Sequence, residues 1–425
     1  MNIRFYNARI LTMADGFQVL EGELWVRGNR IAAVGAELPE DGEVWDREID
    51  AGGNLLMPGF KDAHTHSGMT FLRSFADDLP LKEWLHEKVF PMEARIGAEQ
   101  IYYFAKLAIL EYLTSGITAA FDMYPEPDAM AAASIDCGFR TVLAGGLNDF
   151  VQSPKQLEEW LLKYRSFHEL VGFRLGFHAE YTTGEALLRQ VADLAAAYGE
   201  PVFCHNSETR GEVEECVRRT GMTPTCYLDS LGIFDHGGGA YHCVYMSEKD
   251  LDVLKEKGVY AVTNPGSNTK LASGIAPISR MLQKGIGLAI GTDGPASNNC
   301  LDMFREMFLT TGLAKLRDQD AAAVDANQVL AMATLGGARA MGLTQCDTLA
   351  EGKLADLIMV DLHQPNMQPL NNITKNLVYS GSKQNVILTM VNGKILYENG
   401  VFHVGEDAED IYRKANERKA AVLGF

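Results

Sequence analysis

Cysteine, cationic side chains and long apolar runs are all scarce in this sequence. The seven cysteines of the 425-residue chain form no Cys-x-x-Cys pair and no dense framework, which excludes a disulfide-stapled fold and fits a reducing cytoplasm. Lys and Arg number 38 against 56 Asp and Glu, a formal net charge of −18. A polyanion would meet a repulsive field, so nucleic acid and anionic membrane are poor partners. No apolar stretch approaches the roughly 20 residues of a membrane-spanning helix. The N-terminal MNIRFYNARILTMADGF has charge and Asn where a signal peptide would be apolar, and it lacks the Arg-rich pattern of a transit peptide. A cytoplasmic protein with a small-molecule partner is expected.

What the chain does have is ordinary globular material, 47% hydrophobic and 22% charged, enough for a sizeable core. Its length exceeds the roughly 250 residues of a single barrel, so a large core with an accessory domain is expected. Residues 1–55 alternate in the strand manner, in IRFYNARIL, GELWVRGNRIAAVG and EVWDREIDAGGNLL, separated by turn-forming residues. From residue 56 short apolar runs alternate with stretches of helical spacing, the mark of βα units around a parallel sheet. Eight strands are read, at LLMPGFKDAHTH, ITAAFDMY, RTVLAGGL, GFRLGFHAE, PVFCHN, AYHCVY, GVYAVTN and IGLAIGTDG. They predict an α/β fold, a (β/α)8 TIM-like barrel over 56–345. Strand patterns return in 346–425 with a closing surface helix, so the barrel is expected to be inserted in a small β-sandwich domain formed by both termini.

His64-Thr65-His66 ends the first barrel strand, where period-two geometry turns both imidazoles to one face. Alone this motif is weak. His178, His205, His242 and Asp293, however, each fall at or just past the C-terminal end of a predicted strand, where barrel enzymes place catalytic groups. Glu208 follows His205 by three residues and can lean over the same centre. The other histidines, His86, His168, His236, His363 and His403, are placed on helices and surface loops. Each site residue also has a bland reading: His242 as a satisfied core residue, Asp293 as a turn former or helix cap, Glu208 as a solvated acid in a first helical turn. Those readings weaken together, because each would have to explain separately why its residue ends a barrel strand. Three His and one Asp would leave a divalent cation open coordination for water, as in a catalytic site. The fourth strand, GFRLGFHAEYTTG, has no Lys to bridge a second ion, so one metal per chain is favoured.

PGFKDAHTH, ADDLPLKEWL, CHNSET, HCVY, NPGSNTKLASGIAP and GTDGPASNNCLDMF resemble the metal-dependent amidohydrolase superfamily, in the branch holding 5′-methylthioadenosine/S-adenosylhomocysteine deaminases and triazine chlorohydrolases. The resemblance implies that His64, His66, His205 and Asp293 bind the metal, usually zinc and sometimes iron. It implies that Glu208 handles protons at the substrate ring, that His242 and Asp293 orient and deprotonate the water, and that Glu93 and His178 contact substrate. Trp84 is expected to line the pocket as a stacking face. The implied reaction is hydrolytic deamination of an adenosine-like nucleoside by metal-activated water, and relatives often form homo-oligomers. Other implied readings are deamination of guanine or a pterin, dechlorination of a triazine, and, least favoured, a metal-free scaffold. Three departures bear on substrate. Glu180 in HAEY is expected to add a carboxylate beside the pocket. Thr263 stands where His is frequent. Ala144, Gly145 and Gly146 replace a basic residue that could hold an amino-acid carboxylate, with Lys155 and Arg210 the nearby cations that could stand in, so adenosine and 5′-methylthioadenosine are favoured over S-adenosylhomocysteine.

Overall fold

The computed structural model describes residues 1–36, 38 and 44–424. Glu43 and Phe425, at the ends of two expected segments, lie outside the described residues. Among the described residues no helix is long and apolar enough to cross a membrane.

Both termini contribute to one nine-stranded sheet. Strands β1 (Asn2–Leu11), β2 (Val19–Arg27), β3 (Arg30–Gly35), β4 (Arg47–Asp50) and β5 (Leu55–Pro58) come from the N-terminal side. After the barrel come β14 (Leu357–Val360), β15 (Val386–Val391), β16 (Lys394–Glu398) and β17 (Val401–Phe402). The order is β17-β16-β15-β14-β5-β1-β2-β3, with β4 also paired to β1. Alternate residues Ile3, Phe5, Leu24, Val26, Leu56, Leu357, Met359, Leu388 and Met390 bury a core of the sheet's own, so the two halves of the expected sandwich are one continuous sheet sharing a core.

Between β5 and β14 run eight parallel strands in sequence order: β6 (Phe60–Thr65), β7 (Ile117–Met123), β8 (Arg140–Ala144), β9 (Val171–Ala179), β10 (Val202–Asn206), β11 (Gly238–His242), β12 (Val259–Thr263) and β13 (Leu288–Ile290). The run LLMPGFKDAHTH, expected as one strand, is two. Leu55–Pro58 pairs with β1 and β14, and Phe60–Thr65 pairs with β7. The break falls at Gly59, where a Cβ would lie 2.1 Å from Thr118 Cγ2, so any side chain would force the two sheets apart. Helices such as Ala98–Thr114 and Glu185–Tyr198 connect the barrel strands as expected.

Closure between β13 and β6 uses side chains beside the future site. Thr292 donates its N–H and Oγ1–H to the two oxygens of buried Asp62, at 2.8 and 2.6 Å. The Asp293 N–H donates to the His64 carbonyl at 2.9 Å. Gly291 permits this approach, since a Cβ there would lie 2.7 Å from the His64 carbonyl oxygen. The last strand is thereby seated against the first, with Asp293 and His64 at the join.

Candidate active site

Strand geometry assembles the cluster at the C-terminal rim. On β6, Thr65 faces away and hydrogen-bonds the Tyr112 hydroxyl at 2.7 Å, leaving His64 and His66 on the common face. His205 comes from β10 and Asp293 from the turn after β13. One donor atom from each of the four residues lies within 4.8 Å of the others.

Hydrogen bonding fixes the imidazole tautomers. His66 Nδ1 faces the Met123 carbonyl at 2.6 Å and His205 Nδ1 faces the His178 carbonyl at 2.6 Å. A carbonyl only accepts, so each Nδ1 carries a proton and each ring turns its Nε2 toward the cluster. These two Nε2 atoms face each other at 3.3 Å. Asp293 Oδ1 lies 3.3 Å from His66 Nε2 and 3.6 Å from His64 Nε2. His64 is wholly buried, stacked on Tyr241 at 3.7 Å between ring centroids, and neither of its ring nitrogens has a hydrogen-bond partner. Leaving a buried polar atom unpaired costs about 1–3 kcal/mol. A cation among these donors would satisfy His64 and take the converging Nε2 and carboxylate atoms as ligands, so the residues present fit a divalent metal. Burial first, and neighbouring imidazoles second, hold His64 and His205 well below the usual histidine range. Burial alone would raise Asp293, but His66 and His242 keep its carboxyl below the ordinary value. Neutral imidazoles and an ionised carboxylate are the donor forms that Zn²⁺ takes.

Glu208 and His242 stand beside the cluster, with Glu208 Oε2 3.8 Å from His242 Nε2. Glu208 Oε1 accepts from the Ser273 hydroxyl at 3.0 Å, and burial pushes its carboxyl up. The turn that carries it is clamped by Glu212, whose oxygens accept the N–H groups of Ser207 and Glu208, both at 2.8 Å. His242 Nδ1 bonds Asn268 Oδ1 at 2.8 Å, which aims Nε2 at Glu208. Burial alone would lower His242; the carboxylates of Glu208 and Asp293 raise it above the usual value. Both His242 and Asp293 hold left-handed backbone, φ 69° and 59°, at about 1–3 kcal/mol each. The barrel join holds Asp293 in that conformation, and its Oδ2 accepts from Ser297 Oγ at 2.9 Å.

A cavity of about 550 Å³ opens over these groups. Of the residues singled out from sequence, His66, Trp84, Glu93, His178, His205, Glu208, His242 and Asp293 all line it, and His64 lies buried in the cluster below. Glu93 Oε1 accepts from the Tyr124 hydroxyl at 2.8 Å, and burial pushes Glu93 up to about 7. The Thr182 hydroxyl donates to the Ala179 carbonyl at 3.2 Å, so His178 Nδ1 must donate to Thr182 Oγ1 at 2.8 Å and its Nε2 is bare. Burial lowers His178 to about 4, keeping the ring neutral at pH 7.

One expectation needs correction. Glu180 does not add a carboxylate to the cavity; it is buried against Arg219 and is absent from the lining. His86, placed on the surface from sequence, is exposed and also lines the cavity. Neither stand-in cation reaches the site: Lys155 pairs with Glu159 on an exposed helix, and Arg210 sits over Tyr245. Sequence reasoning missed Asn268, Ser273, Ser297 and Tyr124, single polar residues without a pattern. Glu212 had a signal, because Thr209-x-x-Glu212 reads as a capping box, and the box forms.

The sequence profile of the amidohydrolase family matches residues 55–396. A 5-methylthioadenosine/S-adenosylhomocysteine deaminase of Moorella thermoacetica is 44% identical over 379 residues, covering 88% of each chain. A 5′-deoxyadenosine deaminase of Methanothermobacter thermautotrophicus is 39% identical over 401 residues, 92% of this chain and 93% of that one. Among solved structures, an adenosine deaminase from Xanthomonas campestris with bound zinc superposes with TM-score 0.93 at 34% identity, over 100% of this chain and 98% of that one. With the barrel, the three-His-one-Asp cluster and these likenesses in agreement, the chain belongs to the amidohydrolase family.

Proposed function

We propose that this chain hydrolytically deaminates an adenosine-like nucleoside, releasing ammonia, with one divalent metal held by His64, His66, His205 and Asp293. The observation that carries the reading is the placement of a buried Glu208, 3.8 Å from His242, in the wall of the same cavity as the donor cluster. A metal bound there would lower the pKa of its water to about 7, supplying the nucleophile near neutral pH.

The chain's own residues supply the rest. Glu208, whose carboxyl burial raises above its ordinary value, is the group that gives a proton to the ring nitrogen beside the carbon under attack, so that negative charge does not build there. Ser273 holds its other oxygen and fixes the direction of transfer. Asp293 accepts the proton of the attacking water, and His242, oriented by Asn268, helps pass it to the leaving amino group. Each such transfer typically contributes 10²–10⁴-fold. Trp84 offers a face for the base, His178 Nε2 an acceptor, and Glu93 two oxygens for the vicinal hydroxyls of a ribose. The Glu93 role favours nucleosides over the free bases, pterins and triazines of the competing reading, since those lack the diol. Seven free cysteines, six of them buried, suit a reducing cytoplasm.

The test is ammonia release from purified protein across purine nucleosides and free bases. Turnover of adenosine or its 5′-substituted relatives is expected; turnover confined to guanine, a pterin or a triazine would overturn the reading.

A further inference from the structure

Phe150 and Val151 are 86% and 41% exposed, yet both line the active-site cavity. Adjacent large apolar side chains left in water beside a ligand pocket call for a partner. Their loop is fixed. Asn148 Oδ1 accepts the N–H groups of Phe150 and Val151 at 2.8 and 3.1 Å. Asp149 Oδ1 accepts the Gly184 N–H at 2.8 Å. Gln152, in left-handed backbone at φ 64°, takes the Gly146 N–H at 3.0 Å and donates to the Pro125 carbonyl at 3.1 Å. The backbone is tied down while the two side chains stay open to solvent, a preorganised apolar lip.

A nucleoside whose reacting carbon sits over the buried cluster has its 5′ carbon nearest the opening. The charges there are one-sided. The lining includes the carboxyl groups of Glu93, Glu126, Glu208 and Asp293, and among the described residues no Lys or Arg; histidines are its only groups able to become cations.

We infer that Phe150 and Val151 form a subsite for an uncharged, apolar 5′ substituent, selecting 5′-deoxy and 5′-alkylthio adenine nucleosides over those ending in a carboxylate or phosphate. The inference rests on the nucleoside reading above. Burial of apolar carbon against the lip is worth about fourfold per methylene. A carboxylate brought here forgoes its charge-assisted contact, a loss of about tenfold or more.

The experiment measures Kd by calorimetry and kcat/KM by ammonia release for adenosine, 5′-methylthioadenosine, its 5′-ethylthio homologue and S-adenosylhomocysteine, with zinc-loaded wild type and Phe150→Ala. Expected in the wild type is a preference for both alkylthio nucleosides over S-adenosylhomocysteine of about tenfold or more. Expected in Phe150→Ala is a drop of about tenfold in the methylthioadenosine-to-adenosine ratio, with an unchanged melting temperature. Selective binding without ammonia release would support the subsite while refuting the deaminase reading. Ammonia release with no such preference, or with a ratio unmoved by Phe150→Ala, would overturn the subsite and leave the reading standing. Failure to bind any of the four would overturn both.

Discussion

Replacing Glu208 by Gln separates proton transfer from metal binding. The amide keeps the volume of the buried side chain and can still accept the Ser273 hydroxyl bond, 3.0 Å in the wild type, so the turn clamped by Glu212 should hold. It cannot give up and recover a proton. Burial raises the wild-type carboxyl, a shift toward the proton-bearing form that the amide cannot reproduce. Loss of one such transfer is worth 10²–10⁴ in rate, or about 3 to 5 kcal/mol at 1.36 kcal/mol per decade. Glu208 is outside the four-residue donor group, so its loss should leave the metal in place. The assay pairs elemental analysis with steady-state ammonia release. A kcat lower by at least a hundredfold at unchanged metal content is expected. A fall of less than about tenfold would refute the proton-shuttle role, and loss of metal in the folded variant would place Glu208 among the ligands.

His205→Ala should lose metal and activity together, as judged by elemental analysis, because it removes one of the Nε2 donors facing each other at 3.3 Å. Asn268→Ala releases His242 Nδ1 and should lower kcat by about ten- to a hundredfold with little change in KM, the size of one lost buried hydrogen bond; an unchanged kcat would show that His242 needs no such anchor. Glu93, pushed up to about 7 by burial, is protonated below that pH and ionised above it. Only the ionised form accepts from both ribose hydroxyls, so kcat/KM for a ribonucleoside should rise as pH passes through about 7, whereas a 2′,3′-dideoxy analogue should lack that limb. Identical profiles for the two substrates would contradict the diol contact.

The barrel was legible because each strand is an apolar run, such as ITAAFDM, ended by polar residues, and a parallel strand covered on both faces requires that composition. The cluster was legible for a related reason: a titratable residue ending a buried run has few reasons to be there except the rim it faces. The split at Gly59 was hidden, since LLMPGFKDAHTH stays apolar across the point where the chain passes from one sheet to the other. Glu180 was expected beside the pocket because it stands two residues after His178 in HAEY. The chain instead enters a 3-10 turn over Glu180–Thr182, which carries the carboxylate out to Arg219. Asn268, Ser273 and Ser297 act through contacts 26 or 65 positions away, or within a tight turn, and no local pattern reports such partners.

The central claim is that a single metal among His64, His66, His205 and Asp293 is required for hydrolytic deamination. It is tested most directly by stripping the purified protein of metal, returning zinc in measured steps, and following ammonia release from 5′-methylthioadenosine. Activity should be absent from the stripped protein, rise in proportion to added zinc and level off at one equivalent per chain. Full activity without metal, or a plateau only at two equivalents, would contradict the account.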